Sequence, residues 1–188
     1  MIGNLESLRK RLETLVPRAS AFSGNAFRST TPHYATEQDL LTGEGSRMHG
    51  GQWNPPGLAA VYASGTPETA MAETLAHVRY YGLSEHEAMP KTFVAVSFDL
   101  NGVLDLTDGK IRRRIGFSLS HITNTDWRRE MRARIVPFSQ LLGQAAADLG
   151  FEALVVPSVA GSGGWNIVAF PKNFGSASIV KVIASERL

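Results

Sequence analysis

At 188 residues the chain is sized for one domain, able to bury roughly 70% of its unfolded surface in an ordinary core without staples. It has no cysteine, which excludes disulfides, thiolate metal sites and cysteine nucleophiles and fits a reducing compartment, so a cytoplasmic protein is expected. Its 19 Lys and Arg against 17 Asp and Glu leave a formal net charge of +2, a balance that does not call for nucleic acid, and no apolar run approaches a membrane span or follows a basic leader.

Asn4 can cap a helix in which Leu5, Leu8, Leu12 and Leu15 recur at helical spacing before Pro17 stops it. Such a stripe needs a groove, supplied by the rest of the domain or by a partner chain, and periodicity does not separate the two. No element is assigned between this helix and residue 36. Residues 36–57 are rich in Gly, Pro and polar side chains and read as a long irregular loop, the kind of segment that often carries function.

A short apolar run over 58–63 predicts a buried strand. Thr66 and Pro67 then supply the cap and first position of a helix running to about Tyr81, with Gly82 as its stop. Met71, Leu75 and Val78 share one stripe of that helix, so periodicity alone turns Glu73 toward solvent. Residues 91–100 alternate, with Val94, Val96, Phe98 and Leu100 on one face of a half-buried strand. In the basic, helical middle that follows, Arg112, Arg113 and Arg114 and the run from Arg128 to Arg134 read as a phosphate-binding face or, more commonly, as solvated helix surface. A helix over 139–149 ends at Gly150, and residues 151–156, 165–170 and 178–184 read as strands. This grouping predicts an α+β domain with a mixed β-sheet core and flanking helices rather than a doubly wound parallel sheet.

Familiar signatures are absent: GxxxxGK[ST], HExxH and GxSxG do not occur, and Gly161-Ser162-Gly163-Gly164 lacks the spacing of a dinucleotide fingerprint. His33, His49, His77, His86 and His121 are scattered without ligand spacing, so no metal site is expected. A triad of Ser158, His49 and Glu73 can be drawn but has no nucleophile-elbow context. What remains is a set of residues whose chemistry suits a nucleotide such as NAD. Arg28 offers a planar fork of donors to a pyrophosphate. Gly50 and Gly51 allow close backbone approach, and Trp53 and Tyr62 offer flat faces to a ring. Glu73 can stabilise the positive sugar formed when an N-glycosidic bond breaks, and Ser158 follows Pro157 at the end of an apolar run.

Taken in order, Phe27-Arg28, Gly50-Gly51-Gln52-Trp53-Asn54, Val61-Tyr62-Ala63-Ser64, Ala72-Glu73 and Val156-Pro157-Ser158 resemble the RES-domain family from about Ala26 to Phe170. On this reading residues 1–188 form a single RES-like domain, with the amphipathic helix of 1–17 outside the family core. The resemblance implies a fold similar to ADP-ribosyltransferases and a toxin of a bacterial toxin–antitoxin system that consumes NAD as substrate, by phosphorolysis or hydrolysis of its nicotinamide–ribose bond. It implies a catalytic set of Glu73, Arg28 and Ser158, and a binding set of Arg28, Arg47, Gln52, Trp53, Asn54, Tyr62 and Ser158. It also implies a DNA-binding antitoxin that covers the site, with a homo-oligomer as an open alternative. Two other readings compete: a mono-ADP-ribosyltransferase that modifies a host protein, and a catalytically silent partner- or RNA-binding protein. The chain departs from the family at Gln52, where an arginine is usual; Gln can still hydrogen-bond a ribose or amide, and Arg47 in the same loop is the substitute cation.

Overall fold

Alternating apolar residues set the frame of the molecule. The computed structural model describes residues 5–86, 89–160 and 163–187. Among these, six strands pair into one sheet: β1 (Ser20–Thr30), β2 (Val61–Ser64), β3 (Thr92–Asp105), β4 (Ala153–Pro157), β5 (Trp165–Ala169) and β6 (Ile179–Arg187). Val94, Val96, Phe98 and Leu100 are buried on one face of β3, as their alternation predicts, and the strand continues past them to Asp105.

β1 runs antiparallel along β3, from Ser20 opposite Val103 to Thr30 opposite Thr92. Phe27 of β1 also stands opposite Ser64 of β2. From β2 the pairing passes antiparallel through β5 to β4, and β4 returns in parallel to the far end of β3, Val103 opposite Ala153. The strands therefore close on themselves, and β6 pairs with the first part of β3 beside the ring. Closure leaves few unpaired edges, and the single parallel pair among antiparallel ones makes the sheet mixed. β1 has no counterpart among the expected strands because Ser20, Ser23, Gly24 and Asn25 are poor strand formers; its long pairing with β3 supplies what propensity does not.

The alternation sends side chains into two apolar layers. One consists almost wholly of strand residues, among them Ala26, Val61, Val94, Phe98 and Ile167, with Leu40 from α2 (Glu37–Leu41). The other lies between the opposite sheet face and the helices α1 (Leu5–Glu13), α5 (Gly109–Ile115) and α8 (Phe138–Asp148). Leu8, Leu12 and Leu15 are buried in it as α1 packs on α8, so the chain itself provides the groove for its leading helix. The Asn4 cap lies outside the described residues. α8 approaches residue 53 so closely that a Cβ on Gly143 would sit 1.7 Å from the Trp53 carbonyl oxygen.

The segment 36–57 is less irregular than its composition suggests. Thr36 Oγ1 accepts from the Asp39 N–H at 3.2 Å to cap α2, and Gly43, left-handed at φ 68°, leads into α3 (Glu44–His49). Helices of five and six residues are too short to declare an apolar period. α4 (Pro67–Tyr80) is capped as expected, with Thr66 Oγ1 accepting from the Thr69 N–H at 3.1 Å. The basic middle contributes α5, α6 (Leu119–Thr123) and α7 (Trp127–Arg132). Among the described residues no helix is long and apolar enough to cross a membrane.

Candidate active site

The ends of β2 and β4 and the start of β5 meet beneath α4, and a small polar network gathers there. Ser64 closes β2, Asn166 stands opposite it on β5, and Ser158 follows the last residue of β4. Glu73 reaches down from α4 to this edge. Its Oε1 accepts from Ser158 Oγ and from Asn166 Nδ2, each at 2.7 Å, while Asn166 Oδ1 accepts from Ser64 Oγ at 2.7 Å. Ser158 Oγ in turn accepts from the Ala160 N–H at 3.2 Å. Glu73 is thus half-buried and fixed rather than solvated. Periodicity misplaces it because α4 packs against the sheet through Thr69, Ala70 and Val78, leaving the Glu73 side free to bend over the strand ends. Its Oε2 accepts no hydrogen bond among the described residues and is not buried, so one carboxylate oxygen is locked and the other is presented.

Two residues back along the same face of β2, about 7 Å from Ser64 by strand geometry, Tyr62 anchors the glycine loop. Its hydroxyl donates to Asn54 Oδ1 at 2.7 Å and accepts from the Trp53 N–H at 3.0 Å. Burial pushes the phenol well above its ordinary pKa, an effect the Trp53 N–H offsets only in part. Asn54, wholly buried, donates to the carbonyls of Ser46 and Leu58 at 2.9 and 2.7 Å. Trp53 is only 2% exposed and meets Phe117 edge to face, so it pins the loop to the core and offers no open ring face. A Cβ on Gly51 would lie 2.5 Å from the Tyr62 hydroxyl oxygen, which is why the loop carries glycine there. The Gly51 carbonyl accepts from Gln140 Nε2 at 2.7 Å. Held between these anchors, Gln52 is half-buried and its side chain makes no hydrogen bond among the described residues.

The two expected cations stand apart from this network. Arg28 lies on β1 opposite Val94, one residue from Phe27 and hence on the other face of the strand. Its Nη1 donates to the Leu40 carbonyl at 3.0 Å. Burial lowers its pKa and the charge of Asp39 works against that shift; a guanidinium remains cationic at neutral pH in either case. Arg47 is exposed on α3 and forks onto Glu44, with Nε 2.7 Å from Oε2 and Nη2 2.5 Å from Oε1. Among the described residues neither guanidinium bonds to Glu73.

Sequence reasoning missed Asn166 and Ser64, although an amide inside the apolar run 165–170 was a signal, since Asn is depleted in strands. It also passed over the continuation of the Glu73 face. One turn along α4, His77 Nδ1 lies 3.2 Å from Arg128 Nη2, and the Arg128 guanidinium sits over the rings of Tyr80 and Trp127 at 4.8 and 4.3 Å. A guanidinium can only donate, so Nδ1 accepts; burial, then Arg128 and Lys91, lower the His77 pKa.

The RES domain profile matches residues 25–188. The NAD(+) phosphorylase MbcT of Mycobacterium tuberculosis is 29% identical over 159 residues, spanning 80% of this chain and 78% of that protein, and MbcT of Mycobacterium bovis matches to the same extent. The Prs ADP-ribosylating toxin of a Sphingobium species is 39% identical over 57 residues, 30% of this chain and 35% of that protein. A chain in the crystal structure of the M. tuberculosis MbcT–MbcA toxin–antitoxin complex has the same architecture, with a TM-score of 0.79 and 25% identity over 97% of this chain and 92% of its own. With matches of this extent in sequence and fold, the chain belongs to the RES domain family.

Proposed function

We propose that this protein is the toxin of a toxin–antitoxin pair and that it consumes NAD by cleaving the nicotinamide–ribose bond. The observation that carries the proposal is the divided carboxylate of Glu73, with Oε1 held by Ser158 and Asn166 and Oε2 open. As nicotinamide departs with the electron pair of the glycosidic bond, the ribose acquires oxocarbenium character. A carboxylate fixed before the reaction stabilises that charge without reorganising. A phosphate oxygen or water then bonds to the vacant sugar carbon, giving ADP-ribose 1″-phosphate or, with loss of a proton, ADP-ribose.

Ser158 serves as a positioning group, since its proton is committed to Glu73. Arg47, once released from Glu44, and Arg28, through its field from the opposite face of β1, contribute the positive charge that draws the pyrophosphate, and Gln52, with its free amide, hydrogen-bonds the ribose. Trp53, Asn54 and Tyr62 act by holding that loop in place. An antitoxin that masks the strand ends around Glu73 is the expected partner, by likeness to the MbcT–MbcA complex. A third acceptor, a host protein side chain, is favoured by the partial match to an ADP-ribosylating toxin.

Replacing Glu73 by Gln keeps the shape and removes the charge. Nicotinamide release should fall by about a hundred-fold to a thousand-fold with an unchanged melting temperature. Release at the parental rate would remove Glu73 from the mechanism and the proposal with it.

A further inference from the structure

Ser158, which bonds Glu73, also lines a cleft of about 710 Å³ whose walls include Gly164, Trp165, Thr107, Leu119 and Arg112. Arg112 is the charged side chain among its described walls. It belongs to the arginine triplet of α5, yet differs from its neighbours: Arg113 and Arg114 are exposed, whereas Arg112 is half-buried. Its Nη1 donates to the carbonyls of Leu106 and Thr107 at 2.6 and 2.8 Å. Two neutral acceptors fix the plane of the guanidinium without touching its charge. Its remaining N–H groups have no hydrogen-bond partner, and no carboxylate pairs with it, among the described residues. The nearby carboxylates are engaged elsewhere. Asp105 Oδ1 accepts from Thr107 N and Oγ1 at 2.8 and 2.6 Å, and Asp108 Oδ1 accepts from the Lys110 N–H at 2.7 Å.

A pre-oriented, unneutralised guanidinium in a cleft with apolar and glycine walls suits a phosphate group, whose oxygens match its fork of donors. We propose that Arg112 forms an anion subsite beside Ser158 that binds a phosphate group of a reactant, either the pyrophosphate of the dinucleotide or free inorganic phosphate acting as acceptor. This rests on the NAD-cleaving reading only for the identity of the reactant; the subsite itself follows from the cleft and the unpaired charge.

Two variants test it. Arg112→Gln removes the charge, and Leu119→Glu places an opposing carboxylate in the same cleft without disturbing the carbonyl bonds at Leu106 and Thr107; Ile179→Glu, on exposed β6, controls for the change in net charge. Binding of inorganic phosphate and of inorganic pyrophosphate is measured by equilibrium dialysis, together with kcat and the KM for NAD and for phosphate. In both variants one KM should rise by about ten-fold to a hundred-fold, as expected for loss of a charge-assisted contact, with kcat little changed and the control unaffected. A rise confined to phosphate identifies an acceptor subsite, and one confined to NAD a pyrophosphate subsite. If Arg112→Gln does not fold, Leu119→Glu decides. Should the parental protein leave NAD intact yet bind either anion in a manner both variants weaken, the NAD reading fails and the subsite stands. Anion binding and both KM values unchanged in Leu119→Glu would overturn the proposal.

Discussion

In the proposed mechanism Glu73 acts through neighbours that hold only one of its oxygens. Asn166 is central, because it passes the constraint from Ser64 on β2 to the carboxylate on α4 through two hydrogen bonds of 2.7 Å. Asn166→Leu keeps the approximate volume and removes both. The carboxylate then retains only Ser158, and a reacting group displaced by a fraction of an ångström loses much of its effect. We expect kcat for nicotinamide release to fall about ten-fold, with the KM for NAD nearly unchanged; an equal rise in KM with kcat intact would instead make Asn166 a substrate contact. Among single residues the sequence marks Glu73 and Ser158 as candidates by residue type, and the two do meet in a hydrogen bond. It is silent on direction. Periodicity turns Glu73 toward solvent, whereas its carboxylate is held by Ser158 and Asn166, and Trp53, a ring platform by its type, is a buried anchor against Phe117. Neither orientation follows from local spacing, because both depend on which distant strand the residue meets.

Between elements, the ends of strands far apart in sequence are joined by buried polar ties. Glu152, 7% exposed at the start of β4, accepts from the Asn101 N–H at 2.8 Å and from Ser178 Oγ at 2.7 Å, with longer bonds from the Gly102 and Gly175 N–H groups, and so clasps β3 and the approach to β6. Burial alone would raise its pKa, but these four donors together outweigh it and hold the carboxyl below its ordinary 4.5. A folded pKa below the unfolded one means that stabilisation is complete above the unfolded value and is lost as pH falls through the folded one. Glu152→Gln should therefore cost about 1–2 kcal/mol at neutral pH, a difference that chemical denaturation should show shrinking as pH falls below 4.5. A constant difference across that range would mean that the carboxylate charge is not what the donors recognise. Elements with strong local signals are legible, such as α4 with its Thr66-Pro67 start and α8 with its glycine stop. β1 is not, since Ser, Gly and Asn become a strand only through pairing with β3. α2 and α3 are hidden in an apparent loop because each is shorter than two helical turns.

Over the molecule as a whole, a closed mixed sheet places one edge of β2, β4 and β5 under α4, and that edge gathers Ser64, Glu73, Ser158 and Asn166 from separate parts of the chain. The α+β class is readable from the grouping of strands and helices. The closure is not, because the return of β4 to β3 in parallel is a long-range pairing with no local mark. Gln52 puts no charge into the glycine loop, and in the proposed mechanism the positive charge comes from Arg28, Arg47 and Arg112, each on a different element of the fold. Cleavage of NAD can be tested without a partner or a host. Purified protein is incubated with NAD in the presence and absence of inorganic phosphate, and the products are separated and weighed by mass spectrometry. We expect nicotinamide in both cases, paired with ADP-ribose 1″-phosphate when phosphate is present or ADP-ribose from water, and neither product from the Glu73→Gln protein on the same timescale. NAD recovered intact from the parental protein under both conditions would refute the proposed reaction.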